Sequence, residues 1–292
     1  MTLKRSSLWC NVTTYRLHDN IRAQLTNDPT TANYADLLMN IGDGNYPVEN
    51  KPDTITLPEG IHQHETPSKL IEEIYVGLTG CAPNDNNWLL ERAILAPLNE
   101  TVDAVNSTVI DRFPGEVKIY NAINTTLTPE EAVHFPVEFL NSIEISGIPP
   151  HKLKLKVGCP VIVLHSLDPP NIMNGTRCTV YRMSPNVIEV ILINGPAAGK
   201  HALIPRIPLI PSDSDLPFQF RRLQFPLRPC FAMTINKAQG QTFSIIGLDL
   251  RSPVFSHGML YVAASRVGSR SKLHVHAPDK KTRNVVFKNV LQ

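Results

Sequence analysis

Between the apolar runs PCFAM and SIIGLDL the chain reads TINKAQGQTF, residues 234–243. Thr234, Asn236, Lys237 and Gln239 set a hydroxyl, amides and an ammonium group within a few residues. Amides both donate and accept, which suits phosphate, ribose and base edges. Gly240 permits a positive φ and close approach by a ligand or backbone, and Gln241 and Thr242 follow it. A strand ending at Ile235 would deliver these groups to the carboxyl edge of a sheet, where open α/β sheets bind ligands. Spacing alone favours a plainer reading, a polar loop with Gly240 as a helix C-cap.

A second candidate is YVAASRVGSR. Leu260, Ala263, Ala264 and Val267 could face inward on a helix, leaving Arg266 near its end. An arginine at that edge could reach a γ-phosphate, although one placed late in a helix also complements the macrodipole. In LHDNIRAQ, residues 17–24, Asp19 or Asn20 can cap a helix whose first turn holds Arg22. A cation there opposes the dipole, which tilts Arg22 toward function. Arg221 and Arg222 lie among Phe218, Phe220 and Phe225, a cluster that could stack single-stranded bases. Lys152, Lys154 and Lys156 alternate along HKLKLKVG and could track phosphates or simply face water. His62 with His64, and His274 with His276, share strand faces, but no acidic or cysteine ligand adjoins them, so exposed polar positions explain them better than a metal does.

The absences weigh as much. These residues contain no G-x-x-x-x-G-K-[ST] phosphate loop. GPAAGK at 195–200 resembles its end, but His201 follows the lysine and the surroundings are β-rich. No apolar strand ends in Asp-Glu to hold Mg²⁺, and G-x-S-x-G is missing. The sequence assembles no hydrolytic site by itself.

The elements that must carry these groups are readable from pattern. The 292 residues, 42% hydrophobic and 18% charged, fit a globular chain with room for two or three domains. No apolar run reaches membrane-helix length, so no membrane partner is expected. A net charge of +2 is too mild to argue for nucleic acid except locally. The five cysteines are scattered and odd in number, which favours free thiols. YADLLMNIG places Tyr34, Leu37, Leu38 and Ile41 on one helical face. Thr66-Pro67 opens a helix carrying Leu70, Ile71 and Ile74. Ala93–Ala96 reads as a buried strand, and Asn99 caps the helix that follows. Thr128 to Glu131 forms a capping box. From about residue 151 the character turns to β, with a hairpin at Ser184-Pro185 and a proline-broken edge strand in HALIPRIPLIP. βα alternation then returns with FAMTI, a short helix, IIGLDL, GMLYVAASRVG and KLHVHAP.

Taken in order, SSLW, LHDNIRAQ, LLMNIGDG, ERAILAPLNETVDAVN, FPGE, LKVGCPVIVLHSLDPP with NGTR, RLQFPLRPCFAMTINKAQGQTF and PVFSHGMLYVAASRV cover nearly the whole chain. Together they resemble the petite integration frequency (PIF) type DNA helicases, including those of Helitron transposons. The last two stretches are the specific ones. The resemblance implies an α/β fold: the second of two RecA-like parallel-sheet motor domains, with a small β-barrel insertion. It divides the chain into 1–42 (the end of the first motor domain), 43–68 (a linker), 69–159 and 226–292 (the second motor domain) and 160–225 (the inserted module).

By the same resemblance the activity is ATP-driven 5′-to-3′ DNA unwinding. Arg22 and Arg266 match the arginines that reach ATP. Gly240, Gln241 and Thr242 match the loop that touches nucleotide. Asn99, Thr234, Asn236, Lys237 and Gln239 match positions on single-stranded DNA. ATP and Mg²⁺ are the implied cofactors, with their main ligands missing from these residues. Single-stranded DNA is the implied partner, beside a first motor domain in a longer product, in the nucleus or the mitochondrion. Asn236 stands where the family has histidine, and Ala264 where it has leucine. A non-catalytic module that binds single-stranded DNA or a partner is the alternative.

Overall fold

The computed structural model describes residues 7–13, 15, 29–49, 53–80, 87–127, 133–145, 147–211, 216 and 218–288. A five-stranded parallel sheet organises the chain, in the order Ala232–Thr234, Arg92–Ala96, Ile245–Asp249, Leu273–His276 and His62–Gln63. Ala93 to Ala96 are each 0% exposed, because side chains alternate and both faces are covered. Ile94 and Ala96 join one apolar cluster with Leu70, Ile74, Val105 and Val109 of the helices Pro67–Ile74 and Asn99–Arg112. Ala93 and Leu95 join the other, with Tyr34, Leu37, Ile41, Met259 and Leu260 of the helices Pro29–Gly42 and Met259–Ala264. Each fully buried aliphatic side chain contributes roughly 1.5–3 kcal/mol. Gly247, in the strand beside Arg92–Ala96, is there for space: a Cβ would meet Ile74 Cγ1 at 2.9 Å and Ile94 Cγ1 at 3.1 Å.

The helix starts follow the sequence at one end of this layer and not at the other. Thr66 accepts a bond from Lys69 N at 3.2 Å, with proline at the first helical turn. Asn99 is not a cap. It is the first helical residue, behind Leu98, and the cap position supplies no side-chain bond. The capping box at 128–131 lies outside the described residues.

Thr54–Thr56 pairs antiparallel with Lys281–Arg283, and all the pairing between Lys118 and Pro229 is antiparallel too. One sheet has the order His201–Pro205, Val187–Leu192, Arg177–Met183, Pro160–Val163, Leu227–Pro229. A second has the order Ile207–Leu209, Phe220–Gln224, Ile123–Thr126, and Lys118–Asn121 pairs with Lys152–Leu155. The Ser184-Pro185 hairpin forms, with Ser184 N donating to Val187 O at 3.0 Å. HALIPRIPLIP is not one edge strand but two, breaking at Arg206 to edge both sheets. Val161, Val180, Ile188 and Ile204 belong to the same apolar cluster as Ile74 and Val105, so the β unit and the parallel sheet share a core.

Candidate nucleic-acid interface

The strands Ala232–Thr234 and Arg92–Ala96 end together. Thr234 stands opposite Ala96, and Ile235 N donates to Ala96 O at 3.1 Å. The first strand leads into the TINKAQGQTF loop and the second into the helix headed by Asn99. Asn99 and residues 234–242 therefore open at one carboxyl edge of the sheet.

The short helix expected after FAMTI is absent. The segment winds as successive turns: Lys237 N and Ala238 N both donate to Thr234 O, at 3.0 and 3.2 Å, and Gln241 N donates to Ala238 O at 3.0 Å. Buried Ile235 and Ala238, each 0% exposed, pin the loop from below, while Asn236, Gln239, Gly240 and Thr242 face water. Gly240 has φ 81° with open space where a Cβ would stand, so the requirement is backbone conformation rather than room. It is not a helix C-cap.

Arg266 belongs to this loop. It lies past the end of the helix Met259–Ala264, whose Leu260, Ala263 and Ala264 face inward as their spacing predicts. Its Nη1 donates to Gln241 O at 3.1 Å and Ala238 O at 3.4 Å, its Nε to Val262 O at 2.8 Å, and its Nη2 to Ser265 Oγ at 2.7 Å. Its own carbonyl accepts from Phe243 N at 3.0 Å. The guanidinium thus clamps the loop's backbone, a task that needs its fork of donors.

At the foot of the loop Lys237 is half-buried. Burial holds its pKa below the usual lysine range and Arg228 adds to the shift, with Cys230 and Asp103 opposing. Asp103 is shifted upward, first by burial, with Arg228 and Lys237 pulling it down. Arg228 Nη1 stands 3.5 Å from Asp103 Oδ1. Two cations around one carboxylate leave a locally positive edge on a chain of nearly balanced charge.

Across from the loop lies the NGTR segment. A groove of about 410 Å³ separates Lys237, Gln239, Gly240 and Gln241 from Asn171, Asn174, Gly175 and Thr176, with Asn194 to Pro196 closing one side. Both walls are rich in amides. Sequence patterns do not single out Asp103, Arg228 or the Asn171–Arg177 segment. The only signal for the segment was NGTR itself, which carries the family resemblance.

Other candidates fall elsewhere. Arg22 lies outside the described residues. Arg222 is 0% exposed and Phe218, Phe220 and Phe225 are buried, so this cluster cannot stack bases. The Arg222 guanidinium donates to Asn124 Oδ1, Pro149 O and Ile143 O at 2.9–3.0 Å and to Leu140 O at 3.5 Å. Lys152, Lys154 and Lys156 do not form one open face. Lys154 approaches Asp111 Oδ1 at 3.5 Å, and buried Lys156 donates to Phe113 O at 2.5 Å, satisfying the end of the helix Asn99–Arg112. The histidines are not all exposed either. His274 and His276 are buried, and His274 Nδ1 meets His64 Nε2 at 3.0 Å.

The chain is similar in sequence and in fold to known proteins. The family description "DNA helicase Pif1, 2B domain" matches residues 138–183. The ATP-dependent DNA helicase PIF6 of Trypanosoma brucei brucei is 31% identical over 132 residues, 44% of this chain and 16% of that protein. The ATP-dependent DNA helicase Pif1 of Bdellovibrio bacteriovorus is 33% identical over 124 residues, 42% of this chain and 27% of that protein. The crystal structure of the Pif1 helicase from Candida albicans aligns with a TM-score of 0.60 and 23% identity, over 99% of this chain and 62% of that one. The chain is related to the Pif1 DNA helicases. Its five-stranded parallel sheet is RecA-like, and the structure of Bacteroides Pif1 bound to single-stranded DNA shares the fold with a TM-score of 0.54 and 22% identity. The matched segments span less than a third of the two curated Pif1 relatives.

Proposed function

We infer that this chain is the second motor portion of an ATP-dependent 5′-to-3′ DNA helicase, and that its loop at 234–242 works on single-stranded DNA. The supporting observation is the amide-lined groove between that loop and the NGTR segment, with Lys237 on its wall and Arg228 adding positive charge near Lys237. Asn99, Thr234, Asn236, Lys237 and Gln239 lie along the strand; Lys237 supplies the charge and the amides supply sequence-tolerant bonds. Gly240, Gln241 and Thr242 face nucleotide, and Arg266 reaches it from the same side; by the family resemblance Arg22 is a second arginine for that nucleotide. Arg266 exchanges its bonds to Ala238 O and Gln241 O for phosphate oxygens, stronger because both partners are charged. Its release alters the loop, which links nucleotide to strand.

The residues present fit one side of a nucleotide site and no Mg²⁺ site. Among the described residues no group of three or more His, Cys, Asp or Glu is arranged to hold a metal ion. The buried carboxylate at the sheet's carboxyl edge, Asp249, is occupied by Arg251 at 2.8 and 3.1 Å. The phosphate-loop pattern does not occur in residues 1–292, so the expectation is negligible ATP hydrolysis by that chain purified alone, and Mg²⁺-dependent turnover would refute it. Among the described residues no helix is long and apolar enough to cross a membrane. The deciding experiment is a titration with fluorescent oligo-dT and with duplex DNA at two salt concentrations. Salt-sensitive binding that prefers the single strand supports the reading, and equal binding to both sinks it.

A further inference from the structure

Arg177 is as buried as a core leucine, 4% exposed, yet it is not saturated as Arg222 is. Its Nη1 donates to Leu90 O at 2.9 Å, just ahead of the strand Arg92–Ala96, while Nε and Nη2 find no oxygen or nitrogen acceptor and have only the buried Cys230 thiol, a weak acceptor, beside them. A guanidinium kept only for stability would be poorly placed here, since an apolar side chain of similar volume avoids the desolvation. What Arg177 does have is a planar face, held 5.1 Å from the centre of the Phe243 ring. Phe243 closes the TINKAQGQTF loop, and its backbone bonds to Arg266, whose guanidinium holds Ala238 O and Gln241 O. On its other side Arg177 follows Thr176 of the opposite groove wall, and its backbone N is tied to Asn194 Oδ1 at 2.8 Å.

One side chain therefore joins the two walls beneath the groove. We propose that Arg177 is a positioning residue: it couples the NGTR wall of the β unit to the 237–242 loop through Phe243 and Arg266. A strand entering the groove touches Asn174 to Thr176 on one side and Lys237 and Gln239 on the other. Through Arg177 the two walls move together, and the loop's grip responds to the β unit. This rests on the reading of the groove as a single-strand site, and extends it to how the site is held.

The test uses the full chain with Arg177→Met, Arg177→Lys and Phe243→Leu, and follows amide hydrogen exchange and oligo-dT affinity at two salt concentrations. In Arg177→Met the Gln241 and Phe243 amides exchange at least tenfold faster while Ile94 and Leu248 keep their rates. Oligo-dT binds several-fold more weakly with an unchanged salt slope, because no phosphate contact is lost. Phe243→Leu reproduces both effects, and the double variant adds nothing further. Arg177→Lys, which keeps the charge without the planar fork, also loosens the loop, and it serves with Phe243→Leu if Arg177→Met does not fold. Uniformly faster exchange, additive effects, or a salt slope reduced by about one would overturn the proposal. Failure of wild-type chain to bind oligo-dT, with the loop still loosened selectively, would instead reject the single-strand reading and leave the coupling standing.

Discussion

Two arginines, Arg222 and Arg266, show how one residue type takes opposite parts in this chain. Arg222 sits under the three-stranded antiparallel sheet at 0% exposure, its guanidinium spent on three carbonyls and an amide oxygen and set 5.1 Å from the Phe220 ring centre. Arg266 also donates to carbonyls, but it is half-buried, and the carbonyls belong to an exposed polar loop at the open edge of the parallel sheet. The first cation is locked because every partner is part of the core. The second is held by backbone carbonyls of a solvent-facing loop, the bonds that phosphate oxygens would replace under the proposed function. A buried guanidinium with a full set of bonds is structure, and one holding a solvent-facing loop is available for function.

The largest expected effect breaks the first half of this contrast. Arg222→Met leaves the carbonyls of Pro149, Leu140 and Ile143 without their donor, costing about 3 kcal/mol or more in chemical denaturation. Oligo-dT affinity of the molecules that remain folded is unchanged; a selective loss of binding would contradict the purely structural role.

His274 tests a buried group kept neutral rather than charged. Burial is the main cause that lowers its pKa to about 4 from 6.5; His62, His64 and Lys272 add to this and Glu73 opposes it. The folded pKa lies below the unfolded one, so stability is complete above about pH 6.5 and falls as pH drops toward 4, by at most about 1.4 kcal/mol per unit. Urea melts across that window report it, and a His274→Phe variant flattens the dependence.

Smaller effects sharpen the Arg266 side. Arg266→Ala costs about 1–2 kcal/mol of stability and weakens oligo-dT binding roughly tenfold, or about 1.4 kcal/mol, as the loop loses its clamp. Lys237→Ala lowers the salt slope of oligo-dT binding by about one and leaves the melting temperature in place. An unchanged slope removes Lys237 from the phosphate path.

Much of the scaffold was legible because it rests on local rules. Thr66-Pro67 announced its helix through capping chemistry, and Tyr34, Leu37 and Ile41 theirs through periodicity. The strand at 93–96 followed from an apolar run bounded by a proline. The reading failed where a local signal had a distant owner. Lys156 looked like part of a basic strand face and instead serves the end of a helix more than forty residues earlier. The H-x-H pairs looked exposed, which holds for His62, but His274 and His276 are buried inside the parallel sheet, where His274 pairs with His62. In the site itself, TINKAQGQTF and Arg266 stood out by composition, whereas Arg177, Arg228 and Asp103 did not. Nothing in a lone charged residue says which other segment it will face.

By itself the sequence determined which side chains were available, which segments alternate or repeat with helical period, and that the phosphate-loop pattern does not occur in these 292 residues. Those are properties of neighbours along the chain. Only the tertiary structure decided that Arg266 grips the loop 28 residues before it, that Arg177 lies under Phe243, and that Arg222 is core. Burial and hydrogen-bond partners are set by which surfaces meet, and the shared core of the parallel sheet and the β unit brings those surfaces together.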